Sequence, residues 1–280
     1  MQTRIQFLAL EVKSDAQYGT EPSGPQNRLV LLGASNLTMS LRAVIGLMQD
    51  RIGGPSDVLV AAGHGRSYGH FSQVLIRGLP GITSSALWSH LDSSGKLPTY
   101  ALLTDIGNDI AFEYTPEQIL EWVSWCVHRL RRQAAQIVMT NVPITSIESL
   151  SETHYKLVRT IFFPFSRLSR REAIKRTRLL YRGLTDIASE HKLQLFEQEP
   201  IWFGPDVIHI RYRKRREFFR RVVERLPASV DARDSAVEAS LRDTAWNKRP
   251  RFAYRTVLGR ERLCRQPSGQ LTDGTSVYMY

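Results

Sequence analysis

Short apolar runs that close on glycine or on a small polar cluster, each followed by a stretch with helical spacing, constrain this chain more than any other feature. Arg28 to Leu32 (RLVLL) closes on Gly33, and the next segment, Leu37 to Asp50, places Leu41, Val44, Ile45 and Met48 on one helical face. Asp57 to Ala62 (DVLVAA) repeats the run and leads into a glycine-rich turn. Tyr100 to Thr104 (YALLT) repeats it before Gly107, and Ile137 to Thr140 and Leu193 to Phe196 supply a fourth and a fifth strand. Apolar runs without alternation suit strands covered on both faces, and strands alternating with helices suit a parallel sheet between helical layers. The expectation is an α/β fold whose functional groups gather at the carboxyl ends of the strands.

The helices carry their own signals. Thr115 is an N-cap with Pro116 at the first helical position and Gln118 at capping-box spacing, for a helix running to about Arg132. A long basic amphipathic helix covers about Arg170 to His191. Residues 1–27 read as an N-terminal arm, with a linker at 14–27 rich in turn formers. The folded domain is expected over 28–226. After Leu226-Pro227 the chain reads as a basic, strand-poor tail over 227–280, helical from about Asp231 to Trp246 and otherwise irregular or disordered. Between Phe71 and Arg77 the spacing reads as a short helix.

Charge is distributed unevenly. Residues 1–160 hold 13 basic and 13 acidic residues, whereas 161–280 hold 25 and 14, so the whole net charge of +11 lies in the second part. That asymmetry fits an anionic partner or a solvated basic face. Two cysteines, Cys126 and Cys264, are too few for a disulfide framework and read as free thiols of a reducing compartment. The apolar run Phe7 to Leu10 is too short for a signal segment, and no run has the length of a spanning helix, so a cytoplasmic location is expected.

Four polar clusters follow the strands or close the domain: Gly33-Ala34-Ser35-Asn36, Gly63-His64-Gly65-Arg66-Ser67, Asp105-Ile106-Gly107-Asn108-Asp109 and Asp206-Val207-Ile208-His209. Singly, each is an ordinary cap, turn or chance pair. Together they hold the inventory of acyl transfer. Ser35 enters a helix at the mouth of the first strand, with its hydroxyl and N–H outward. Asp206 and His209, three residues apart, let a carboxylate orient an imidazole. Gly65 brings a backbone N–H close to a developing oxyanion without a Cβ in the way, and Asn108 adds a side-chain amide.

In these blocks the chain resembles the SGNH hydrolases of the GDSL esterase/lipase superfamily, whose Ser, Gly, Asn and His would be Ser35 in LLGASN, Gly65 in AAGHGRSYG, Asn108 in DIGND and His209, with Asp206, in DVIH. The match spans about residues 28–226, with all four blocks in family order. It departs from the family at Ala34, where an aspartate is usual, and at Ile210, where a proline is frequent. The resemblance implies a three-layer α/β/α, flavodoxin-like sandwich with a five-stranded parallel sheet ordered 2-1-3-4-5. It also implies a Ser-His-Asp mechanism on a small-molecule ester without metal or cofactor. Carboxylesters, thioesters and acetylated sugars all fall within that resemblance.

Three other readings compete. Gly65-Arg66-Ser67-Tyr68-Gly69 fits G-x-S-x-G, the nucleophile elbow of α/β-hydrolases, with Ser67 as nucleophile, although too few strands precede it. A metal site built from His64, His70, Asp105, Asp109 and His209 lacks any recognised ligand spacing. An inactive domain of the same fold, binding an anionic partner through its basic C-terminal region, is the third. There Arg211-Tyr212-Arg213-Lys214-Arg215-Arg216 and Arg220-Arg221, with Phe218 and Phe219 interleaved, offer a stacking and charged surface to nucleic acid. The same residues also read as an amphipathic helix with Phe218, Phe219, Val222 and Val223 inward, the reading preferred here. Phe162, Phe163 and Phe165, between about Ile144 and Ser169, lie after the fourth strand and are candidates to line an acyl pocket. Oligomeric state has no signature in the sequence.

Overall fold

Every residue of β1 (Asn27–Leu32) is buried, because its two sets of side chains feed two different cores. Leu29 and Leu31 point into one, and Val30 and Leu32 into the other. The computed structural model describes residues 24–164, 166–228 and 245–280. From β1 the chain enters α1 (Ser35–Ile52), returns as β2 (Ser56–Ala61), and makes a hairpin of β3 (Ser72–Val74) and β4 (Arg77–Leu79). Then come α2 (Leu87–Ser93), β5 (Thr99–Leu103), α3 (Asn108–Ala111), α4 (Pro116–Arg132) and β6 (Gln136–Thr140). The short α5 (Ile144–Glu148), α6 (Glu152–Phe162) and the long α7 (Arg170–Glu190) lead to β7 (Gln194–Phe196), and α8 (Arg215–Val223) follows.

Strands β7, β6, β5, β1 and β2 are mutually parallel and lie in that order, which is the sequence-based expectation of 2-1-3-4-5. Helices α1 and α8 cover one face; α2, α4 and α7 cover the other. The result is a three-layer α/β/α sandwich. The Thr115 capping box forms as its spacing predicts, with Thr115 Oγ1 accepting from Gln118 N and the Gln118 side chain accepting from Thr115 N. Phe218, Phe219, Val222 and Val223 are all buried, so α8 packs as an amphipathic helix and its phenylalanines are not free to stack on bases.

Two expectations are corrected. The first concerns the C-terminal region. Instead of a strand-poor tail, residues 246–279 contain β8 (Trp246–Lys248), β9 (Tyr254–Val257), β10 (Arg260–Leu263), β11 (Gly269–Leu271) and β12 (Ser276–Met279). β12 lies parallel to β2, and β11 and β8 follow it, so the main sheet has eight strands and not five. These strands are three or four residues long, too short for a pattern of alternation; β12 forms because the edge of β2 is there to pair with, and β11 and β8 build outward from it. The second concerns Phe71 to Arg77, which is the β3–β4 hairpin and not a helix; β4 pairs with β9 in a separate sheet ordered β10-β9-β4-β3. The expected N-terminal arm lies outside the described residues up to residue 23, as does the expected helix near Asp231 up to residue 244. No helix among the described residues is long and apolar enough to cross a membrane.

Candidate active site

The carboxyl ends of β1 and β5 lie side by side, where the order of the parallel strands reverses. After β1 the chain turns through Gly33 and Ala34, and Ser35 opens α1. A helix start leaves four N–H groups without partners. Asp105, just beyond β5 and in left-handed backbone conformation at φ 60°, takes two of them: its Oδ2 accepts from Ala34 N at 2.8 Å and Leu37 N at 3.2 Å. Its Oδ1 accepts from the Asn36 amide at 2.9 Å. A carboxylate there also suits the positive end of the α1 dipole.

Asn36 reaches further. Its Nδ2 donates to Ile208 O at 3.0 Å, and its Oδ1 accepts from Ile210 N at 2.9 Å. One side chain therefore grips the main chain on both sides of His209 while standing next to Ser35.

The His209 loop is a tight turn closed by Gly204 N donating to His209 O at 2.9 Å. Within it His209 Nδ1 is 2.8 Å from Asp206 Oδ2, and Asp206 Oδ1 accepts from the N–H groups of Ile208 (3.0 Å) and His209 (2.9 Å). Partial burial would raise the Asp206 carboxyl; the bonds from the His209 ring and from these two N–H groups outweigh it and hold the group below its ordinary value. With Nδ1 engaged, Nε2 is the ring nitrogen left for a reacting group. No hydrogen bond joins Ser35 to His209 in this structure.

Gly65 has φ 63°, and a Cβ there would lie 2.4 Å from Val74 Cγ2 on β3. The turn thus requires glycine twice over, for its conformation and for the hairpin packed on it. Asn108 opens α3 half-buried, and its side-chain amide has no hydrogen-bond partner among the described residues. His64, next to Gly65, is held below its ordinary value by desolvation, then by Arg77, His209 and Arg215, with Asp105 opposing. These side chains share one positively charged neighbourhood.

A cavity of about 130 Å³ opens beside Asn36, Asp105 and Asn108, with apolar walls from Ile106, Val142 and Phe163 among others. Of the candidate pocket residues, Phe163 lines this cavity and packs edge-on against Phe112 at 5.5 Å. Phe162 lies against the His209 ring at 5.4 Å. Phe165 falls outside the described residues.

The competing sites come apart. Ser67 is buried, and its Oγ accepts from Gly69 N at 3.1 Å and His70 N at 3.0 Å. The strand that follows it removes the strand-turn-helix geometry on which an elbow depends. His70 stacks on Tyr114 at 4.6 Å, and Asp109 accepts from Tyr68 N at 2.8 Å. Among the described residues no group of three or more His, Cys, Asp or Glu could hold a metal ion. Asn36, and Asp105 at the helix start, are legible in the sequence only as an amide beside the serine and a carboxylate after a strand, because their partners lie far along the chain.

No protein-family model and no curated protein matches the sequence. Among solved structures, the native aryl esterase of M. smegmatis is 17% identical, and the match covers 71% of this chain and 97% of that one at a TM-score of 0.50. A carbohydrate acetylesterase family member from Sinorhizobium meliloti is 17% identical over 71% of this chain and 95% of that one, at 0.49. At such identities the likeness is one of fold. The chain has the flavodoxin-like α/β/α fold of the SGNH-type acylhydrolases and esterases, enlarged by its C-terminal strands.

Proposed function

We propose that the protein is a serine hydrolase of small carboxylic esters, with Ser35, His209 and Asp206 as its triad. The observation that carries this reading is the Asn36 clamp, which ties the helix bearing Ser35 to the loop in which Asp206 already holds His209. Ser35 Oγ attacks the ester carbonyl while His209 Nε2 takes its proton, and Asp206 keeps the other nitrogen protonated. The oxyanion is received by the N–H groups of Ser35 and Gly65 and by the free amide of Asn108, each such donor being worth about 3 kcal/mol in the transition state. His209 then protonates the departing alcohol. A water, deprotonated by His209 in turn, attacks the acyl-Ser35 and releases the acid.

The neighbouring cavity takes the acyl group in this reading, with Phe163 in its wall and Phe162 over the imidazole. Reduced Cys126 and Cys264 are in keeping with a cytoplasmic setting. Labelling with a fluorophosphonate probe tests the assignment: wild type and Ser67→Ala are expected to label, and Ser35→Ala to lose labelling. Absence of label from wild type would instead support an inactive domain of this fold, and loss in Ser67→Ala alone would move the nucleophile to the second block.

A further inference from the structure

The small sheet ends in two hairpin tips that lie together. The β3–β4 turn is Leu75-Ile76, between the paired residues Val74 and Arg77; the β9–β10 turn is Leu258-Gly259, between Val257 and Arg260. β4 and β9 pair at Arg77 and Val257, and Leu258 N donates to Ile76 O at 2.8 Å, so the tips are joined side by side.

Two-residue hairpin loops need left-handed backbone, which asparagine, aspartate and glycine supply. Here the first position of each loop is a leucine, Leu75 at φ 54° and Leu258 at φ 51°. Their side chains stand in water: Leu75 is 90% exposed, Leu258 72% and Ile76 54%. A turn that only closed a hairpin would gain from asparagine at both positions. Leucine is disfavoured there by its backbone and by its surroundings, which points to an apolar partner outside the molecule.

Charge identifies that partner. Arg77, Arg255, Arg260 and Arg262 flank the tips, and the one acid on the four strands, Glu261, accepts from Tyr254 Oη at 2.9 Å. Arg255 and Arg262 sit directly opposite each other on neighbouring strands, an arrangement that repels, and none of the four arginines forms an ion pair among the described residues. Three aliphatic side chains on two narrow tips cover well under the roughly 800 Å² per partner of a stable protein interface. A small apolar wedge beside one sheet face of arginines that have no acidic partner, Arg77 lying over the Phe252 ring, instead matches a lipid surface, with hydrocarbon below a layer of phosphates.

We propose that the paired tips dock the protein on anionic phospholipid membranes, with Leu75, Ile76 and Leu258 entering the interface and the arginines meeting the headgroup phosphates. Because Val74 packs on Gly65, docking brings the candidate site close to the membrane surface. The inference goes beyond ester hydrolysis and is independent of it.

The test is co-sedimentation of the full chain, carrying Ser35→Ala to spare the lipids, with vesicles of phosphatidylcholine alone or mixed equally with phosphatidylglycerol. Binding is expected to the anionic vesicles only, and to weaken in high salt. The double variant Leu75→Asn/Leu258→Asn should melt no lower than its parent, since asparagine suits the left-handed turn, yet bind at least about tenfold more weakly. Arg260→Glu/Arg262→Glu should weaken binding by about fivefold or more per arginine replaced. Failure to bind anionic vesicles overturns the proposal, as does unchanged binding by the asparagine variant, which would assign adsorption to another basic face. Self-association that the asparagine variant abolishes, without vesicle binding, would overturn it in favour of contact between copies.

Discussion

Asp109 stands beside the free amide of Asn108 but is fully buried, and burial pushes its carboxyl up to about 6 against the stabilising bonds from the Ser67 side chain and Tyr68 N. Ionising it in the folded protein is therefore harder than in the unfolded chain, where its ordinary value is 3.8. Below the unfolded value this group contributes its full stabilisation, on the order of 3 kcal/mol, and the contribution is lost as pH rises through about 6. Asp109→Asn keeps an acceptor for Tyr68 N and cannot ionise. Urea unfolding of both proteins across pH 4 to 7 should show the variant gaining on wild type as pH rises; parallel curves would remove Asp109 as the cause.

At the scale of elements, the candidate site is a junction between α1 and the loop that carries His209. No hydrogen bond runs from Ser35 to His209; Asn36 is what ties the two elements. Asn36→Ala would leave the buried N–H of Ile210 and the carbonyl of Ile208 without their partner, costing about 1 to 3 kcal/mol of stability. It would also free the imidazole to drift from Ser35, and misplacement of about 1 Å costs on the order of a hundredfold in rate. The expected outcome is a large fall in kcat on a short-chain ester with a much smaller change in KM. A variant that melts lower but turns over normally would reduce Asn36 to a structural bond.

For the whole molecule, the C-terminal strands decide what the folding unit is. Val277 on β12 is completely buried beside Val58 on β2, and Tyr280 N donates to Val60 O at 2.8 Å. Arg66, buried in the second block, donates Nε to Pro80 O at 3.0 Å and hydrogen-bonds the main-chain oxygen of Tyr280. Gln49 on α1 donates to Asp273 Oδ2 at 3.0 Å and Thr275 Oγ1 at 2.6 Å. A chain cut after Leu226 would expose the apolar edge of β2 and is expected to be insoluble. Val277→Ala, a milder probe, should lower stability by about 1 to 3 kcal/mol in urea unfolding, whereas a dispensable tail would show no change.

The layered parallel sheet, the capped helix at Thr115 and the four polar blocks were legible in the sequence because each rests on local chemistry. Apolar runs such as RLVLL bury on two faces whatever lies beside them. Thr115, Pro116 and Gln118 cap a helix within one turn, and Asp206 meets His209 three residues away. The remaining features rest on partners far along the chain. β12 is a strand because β2 offers an edge, Phe71 to Arg77 is a hairpin because β9 pairs with β4, and Asn36 and Asp105 acquire roles only where loops distant in sequence meet them. Short strands and single amides carry too little local free energy to announce themselves, so their meaning comes from what the fold places opposite them.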